Sequence, residues 1–184
     1  MNKRSFLVIS FVLFCIAFSA TVKAQAKVDD KESARLFVQR FYDWSFTLFK
    51  AEGSGGDKQL SDQQIIMKHS REFFSNDLRK ALVNYYNTPT KDGDIGLDFD
   101  PFMAGQDFWE GYETGNVNQA GNKFFVDVHS IKKGEPRKAV LAAELIVIAE
   151  VTKESGHWAI TNFTYVDGGK KFDLLNLLKD QAKG

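Results

Sequence analysis

Lys123-Phe124-Phe125-Val126-Asp127-Val128-His129-Ser130-Ile131 sets Phe124, Val126 and Val128 on one parity and Phe125, Asp127 and His129 on the other. A two-residue period of this kind is the mark of a strand with one buried face. Working outward, Ala120-Gly121-Asn122 upstream is a hairpin turn, and Tyr112 to Asn118 before it is polar and alternating. Downstream, Lys133-Gly134-Glu135-Pro136 turns the chain again. Val140 to Val151 is then apolar at both parities, which predicts a central strand covered on both faces. Ser155-Gly156 leads into a fourth strand, His157 to Tyr165, with Trp158 and Ile160 on one face. Four successive strands joined by short turns make an antiparallel meander.

Helical periodicity dominates the half before it. Lys31 to Ala51 places Ala34, Phe37, Phe41, Trp44 and Leu48 at three- and four-residue spacing, with Tyr42, Phe46 and Phe49 beside them. So wide an apolar face belongs against a sheet. Ser61-Asp62-Gln63-Gln64 has the form of a capping box and opens a short helix toward Phe74. Ser75 or Asn76 caps a third, running to about Asn87 before Pro89. Residues 88–111 form a long Gly- and Asp-rich connection, and loops of that length are more often functional than incidental. Phe172 to Lys179, rich in leucine, predicts a short final helix. The expected fold is α+β, with N-terminal helices packed on a four-stranded antiparallel curved sheet.

The N-terminus reads as an address. Lys3 and Arg4 precede an apolar run from Phe6 to Val22, and Val22-Lys23-Ala24 and Ala24-Gln25-Ala26 both offer small residues at a cleavage site. That is the layout of a secretory signal peptide. Cleavage at Ala24/Gln25, or two residues later, would leave a single domain from residue 25 to residue 184 with no membrane anchor. The full chain of 184 residues balances 24 basic against 24 acidic side chains. Without residues 1–24 it loses Lys3, Arg4 and Lys23 and no acid, so 21 bases face 24 acids and the net charge is −3. A mildly acidic chain lacks the basic footprint of a nucleic-acid binder. Its one cysteine, Cys15, leaves with the signal, which removes disulfides and thiolate metal sites from consideration.

Several short motifs resemble an exported family known as domain of unknown function 3828. They are Phe41-Tyr42-Asp43-Trp44, then Phe73-Phe74-Ser75-Asn76-Asp77-Leu78-Arg79-Lys80-Ala81-Leu82, then Leu97-Asp98-Phe99-Asp100-Pro101-Phe102 followed by Gln106-Asp107, and finally Asp173-Leu174-Leu175-Asn176-Leu177-Leu178-Lys179. The element order is similar to the cystatin-like roll of the nuclear-transport-factor-2-like superfamily. That resemblance implies a curved sheet and helices around a conical pocket. It implies no agreed activity.

Three groups of residues are chemical candidates. Asp92, Asp94, Asp98, Asp100 and Asp107 crowd one loop, as a hard cation would require. An EF-hand frame started at Asp92 fails, because its sixth position is Leu97 and its twelfth Met103. Bracing of loop amides by Asp98 or Asp100 is the simpler role, and no metal is assigned. Asp98, Asp100, Gln106 and Asp107 remain as residues that can meet a ligand or partner. Asp127 and His129 share one strand face, where a carboxylate beside an imidazole makes a general base, and Glu144 can join them across the sheet. The alternative is that this face is simply solvated. Tyr42 and Trp44 can line a ligand pocket, although an aromatic stripe at this spacing more often fills the core.

No motif calls for a cofactor, and no catalytic constellation is complete. The sequence therefore favours a non-enzymatic exported domain that binds a small ligand or an envelope protein. A small enzyme built on Asp127, His129 and Glu144 competes with it, as does an inhibitor presenting the 88–111 loop.

Overall fold

The computed structural model describes residues 29–52, 62–88, 97, 99–104, 110–131 and 145–181. Among the described residues three helices lead: α1 (Asp30–Glu52), α2 (Asp62–Phe73) and α3 (Asn76–Asn87). Five strands follow: β1 (Gly111–Ala120), β2 (Lys123–Ile131), β3 (Leu145–Glu154), β4 (His157–Asp167) and β5 (Lys170–Asp173). A last helix, α4 (Leu174–Gln181), closes the described chain. The strands form one sheet in the order β1-β2-β3-β4-β5, every neighbouring pair antiparallel. The fold is therefore α+β with an antiparallel meander.

The sheet has five strands, not the four expected. Lys170–Asp173 pairs with Thr164–Asp167 through a turn at Gly168 and Gly169, both at positive φ. Three of its four residues are charged, Phe172 is the exception, and half of its turn is glycine, so it carries no alternation to read. Phe172 and Asp173 accordingly belong to a strand, and the final helix begins at Leu174. Asp173 sets that boundary: its Oδ1 accepts the amide of Asn176 at 3.0 Å and the side-chain amide of Asn162 at 3.1 Å. A carboxylate there satisfies a first-turn donor and meets the positive end of the helix.

The helices cover one face of the sheet. Ala34, Phe37, Val38, Phe41 and Tyr42 of α1 are buried with Phe124, Val126 and Val128 of β2, Val147, Ala149 and Val151 of β3, and Ile160, Phe163 and Tyr165 of β4. Phe41 is the hub: its ring lies within 6.0 Å of Phe73, Phe74, Phe102 and Phe163, mostly at tilted or edge-on angles. Such geometry suits the aromatic quadrupole and adds to the area buried. On the opposite face of β3, Ile146 and Ile148 are half-buried. Apolar residues at both parities of β3 thus mark a central strand, yet only one of its faces is deeply buried.

Side chains of α1 stitch it to the edge strand. Gln39 Oε1 accepts both the amide and the hydroxyl of Thr114, at 2.8 and 2.9 Å, while its Nε2 donates to the Tyr112 carbonyl. The α2–α3 corner is tied to β4 by the Ser75 amide, which donates to the Ile160 carbonyl at 2.9 Å. Ser75 also caps α3, its Oγ accepting the Leu78 amide. No described helix is long and apolar enough to cross a membrane.

Candidate functional site

On β2, Asp127 and His129 do share the face turned away from the helices, but the surroundings differ from a solvated strand. His129 is only 6% exposed. The register explains part of this. Thr114 pairs with Val128 and Val117 with Val126, so Gly115 and Asn116 together oppose Asp127 in a bulge. The His129 ring lies over Gly115, where a Cβ would stand 2.9 Å from Nε2. Glycine is needed there to admit the imidazole. Asn116 hydrogen-bonds the Asp127 carboxyl. Burial pushes the Asp127 pKa up, opposed by His129, by Asn116 and by Lys171. Glu144 lies outside the described residues, but Glu113 is the direct cross-strand partner of His129 and is itself only 7% exposed. Sequence reading missed Glu113, because pairing register is invisible in a polar edge strand. The described residues hold no group of three or more His, Cys, Asp or Glu side chains able to hold a metal ion.

Of the acidic loop, Asp98, Gln106 and Asp107 lie outside the described residues, as do Asp92, Asp94 and the cleavage residues Ala24 and Gln25. Asp100 is described and braces its own turn: Oδ1 accepts the amides of Phe102 and Met103 at 2.8 and 2.9 Å. Burial raises its pKa, and those two amides oppose the rise. Four tyrosines surround it. The Tyr42 hydroxyl donates to the Phe102 carbonyl at 2.9 Å and that of Tyr165 to the Pro101 carbonyl at 2.6 Å. Among the described residues, the buried hydroxyls of Tyr86 and Tyr112 find no hydrogen-bond partner. Burial and the Asp100 charge keep Tyr86, Tyr112 and Tyr165 well above the usual phenol range. Tyr42 therefore belongs to the core and its turn.

Trp44 has a different setting. It lines a groove of about 1000 Å³ between α1, the α2–α3 corner and the β3–β4 hairpin. Phe37, Arg40 and Trp44 come from successive turns of α1, at three- and four-residue spacing that puts them on one side of the helix. Arg71 and Phe73 end α2, Asn76 and Arg79 begin α3, and Glu154, Gly156, His157 and Trp158 form the hairpin rim. Both indoles are held by neighbouring side chains. Trp158 donates from Nε1 to Ser33 Oγ at 2.8 Å, meets Phe124 edge-on and carries Lys153 Nζ 4.8 Å from its ring. Trp44 stacks on Phe73 at 5.1 Å and takes His69 edge-on. Sequence reading passed over the three arginines, since they come from three helices. The Phe37, Arg40, Trp44 spacing was the one available signal. A second, smaller hollow of about 470 Å³ lies beside Phe99, Ile146, Tyr165 and Phe172. No protein-family model, curated protein or solved structure matches this chain.

Proposed function

We propose that this chain is an exported, non-enzymatic binding domain that takes a small ligand into the groove between α1, the α2–α3 corner and the β3–β4 hairpin. The observation that carries this reading is the groove itself, about 1000 Å³ with two braced indoles and polar groups on its walls. Small-molecule sites are concave, mostly apolar and furnished with a few placed polar groups, typically about 300–1,000 Å³ in volume. Export rests on Lys3, Arg4 and the apolar run to Val22. The resemblance to domain of unknown function 3828 and to a cystatin-like roll rests on the motifs quoted above. Three register shifts in the sheet, near Thr114, Val128 and Glu150, support the curvature such a roll needs.

A thermal-shift screen against envelope metabolites tests the binding reading. Ligands that raise the melting point should lose their effect in Asn76→Trp, which fills the groove from an exposed position. Hits that persist in that variant, or a screen without hits, would remove the groove from consideration. N-terminal sequencing of protein from the envelope fraction should begin at Gln25 or Lys27.

One observation favours a second reading, an enzyme in which Asp127 orients His129 as a general base: the two share one strand face, His129 buried and Asp127 half-buried. If that reading holds, Asp127→Asn abolishes turnover of a substrate found by an activity screen. Unchanged turnover eliminates the pair.

A further inference from the structure

The groove holds an excess of positive charge that the fold leaves unanswered. Arg40, Arg71 and Arg79 all line it. Among the described residues, none of the three guanidiniums has a carboxylate partner. Arg40 lies 5.4 Å from the Phe37 ring centre and 5.7 Å from that of Phe73. Cation–π attraction does not itself consume the guanidinium N–H donors. Arg79 donates only to Asn76 Oδ1, at a long 3.3 Å. Two acids, Glu72 and Glu154, also line the groove, so three guanidiniums face two carboxylates and the excess is one positive charge; Glu72 lies 3.3 Å from His69 and Glu154 sits on the hairpin rim. Asn76 is the first residue of α3, so the positive end of that helix also borders the groove.

We infer that the groove takes an organic anion with a flat apolar body, its charged head held by Arg40, Arg71 and Arg79 and its body received between Trp44 and Trp158. This rests on the groove being the binding site, and it adds the chemistry of what binds. Guanidinium forks suit carboxylate and phosphate oxygens, and water is partly excluded where aromatic walls flank them, which strengthens each contact. The indoles need little rearrangement to receive a planar ring. The hydrogen bond to Ser33 and the stack on Phe73 already order them, and ordering before binding favours affinity.

Calorimetry on the purified protein with three probes separates the possibilities: naphthoate, its neutral isostere naphthamide, and oligoglutamate, which has charge and no flat body. Naphthoate should bind about tenfold or more tighter than naphthamide, as expected when a charged hydrogen-bonding group is added. Arg71→Gln and Arg40→Gln should each erase most of that margin and leave naphthamide binding unchanged. Glu154→Gln should tighten naphthoate binding, a gain that partial unfolding does not imitate. Added salt should weaken naphthoate alone. Equal binding of naphthoate and naphthamide, with both lost in Asn76→Trp, would overturn the anion while keeping the groove. Oligoglutamate binding as tightly as naphthoate would overturn the flat body. Failure of both naphthalene probes would overturn groove and anion together.

Discussion

Four tyrosines around Asp100 provide a test in which one chemical change should act with opposite signs. Each Tyr→Phe substitution removes a single oxygen and leaves the ring in place. In Tyr165→Phe, the Pro101 carbonyl loses a donor at 2.6 Å inside the core. A lost hydrogen bond that strands a buried acceptor costs about 1–3 kcal/mol. Tyr42→Phe strands the next carbonyl, that of Phe102, and should cost a similar amount. Tyr112 is 4% exposed and its hydroxyl, like that of Tyr86, has no partner among the described residues. Removing an unsatisfied buried hydroxyl relieves a desolvation penalty of about 1–3 kcal/mol, so Tyr112→Phe and Tyr86→Phe should be neutral to stabilising. Urea unfolding followed by circular dichroism reads these differences as midpoint shifts at constant slope. In a chain of this size, each ~1 kcal/mol corresponds to about 2–4 °C in melting temperature. Because Tyr42 and Tyr165 hold adjacent carbonyls of one turn, their double variant should depart from additivity by about 0.5 kcal/mol or more. If Tyr112→Phe destabilises as much as Tyr165→Phe, its hydroxyl is bonded and the reasoning is refuted.

Asp100→Asn keeps an acceptor for the Phe102 and Met103 amides but removes the charge. Burial raises the Asp100 pKa in the folded state, so its contribution to stability is full below the unfolded value and is lost as pH rises through the folded one. The variant should therefore melt above the wild type at neutral pH, with the gap closing as pH falls toward about 4. An Asp100→Asn melting point below the wild type at pH 7 would count against this. Asp173→Ala removes the cap of α4 and the anchor of Asn162, and chemical unfolding should show a loss of about 1–2 kcal/mol. Gly115→Ala drives a methyl to within 2.9 Å of His129 Nε2 and should cost about 1–3 kcal/mol. Most of that cost should vanish when His129→Ala is the background, and equal costs in both backgrounds would exclude the contact.

The long elements were legible from the sequence because their periods repeat. Lys31 to Ala51 became Asp30–Glu52, and the stretch from Lys123 to Ile131 gave β2 residue for residue. Strand β5 was hidden because four residues paired on one side leave no pattern, and the leucines after it pulled the helix reading back to Phe172. The candidate sites divide in the same way. Bracing by Asp100 follows from its place before Pro101 and two nearby amides, which are local. The approach of Glu113 to His129 depends on a bulge two residues long, and the groove on four elements meeting. Trp158 and Ser33 are 125 positions apart, and no local spacing could have joined them.

That separation also bears on when the molecule can form. Helix α1 is the first described element to leave the ribosome, yet its partners emerge late: Phe102 after 60 residues, Thr114 after 79, Lys153 after 123 and Trp158 after 125. Each hairpin of the meander can close as soon as it is made, while the broad aromatic stripe of α1 waits for nearly the whole chain. Loop closure over such spans is entropically costly, and exposed apolar surface invites association in the interval. The nascent chain should accordingly resist folding until β4 is complete, a state that a channel can thread and a chaperone can hold.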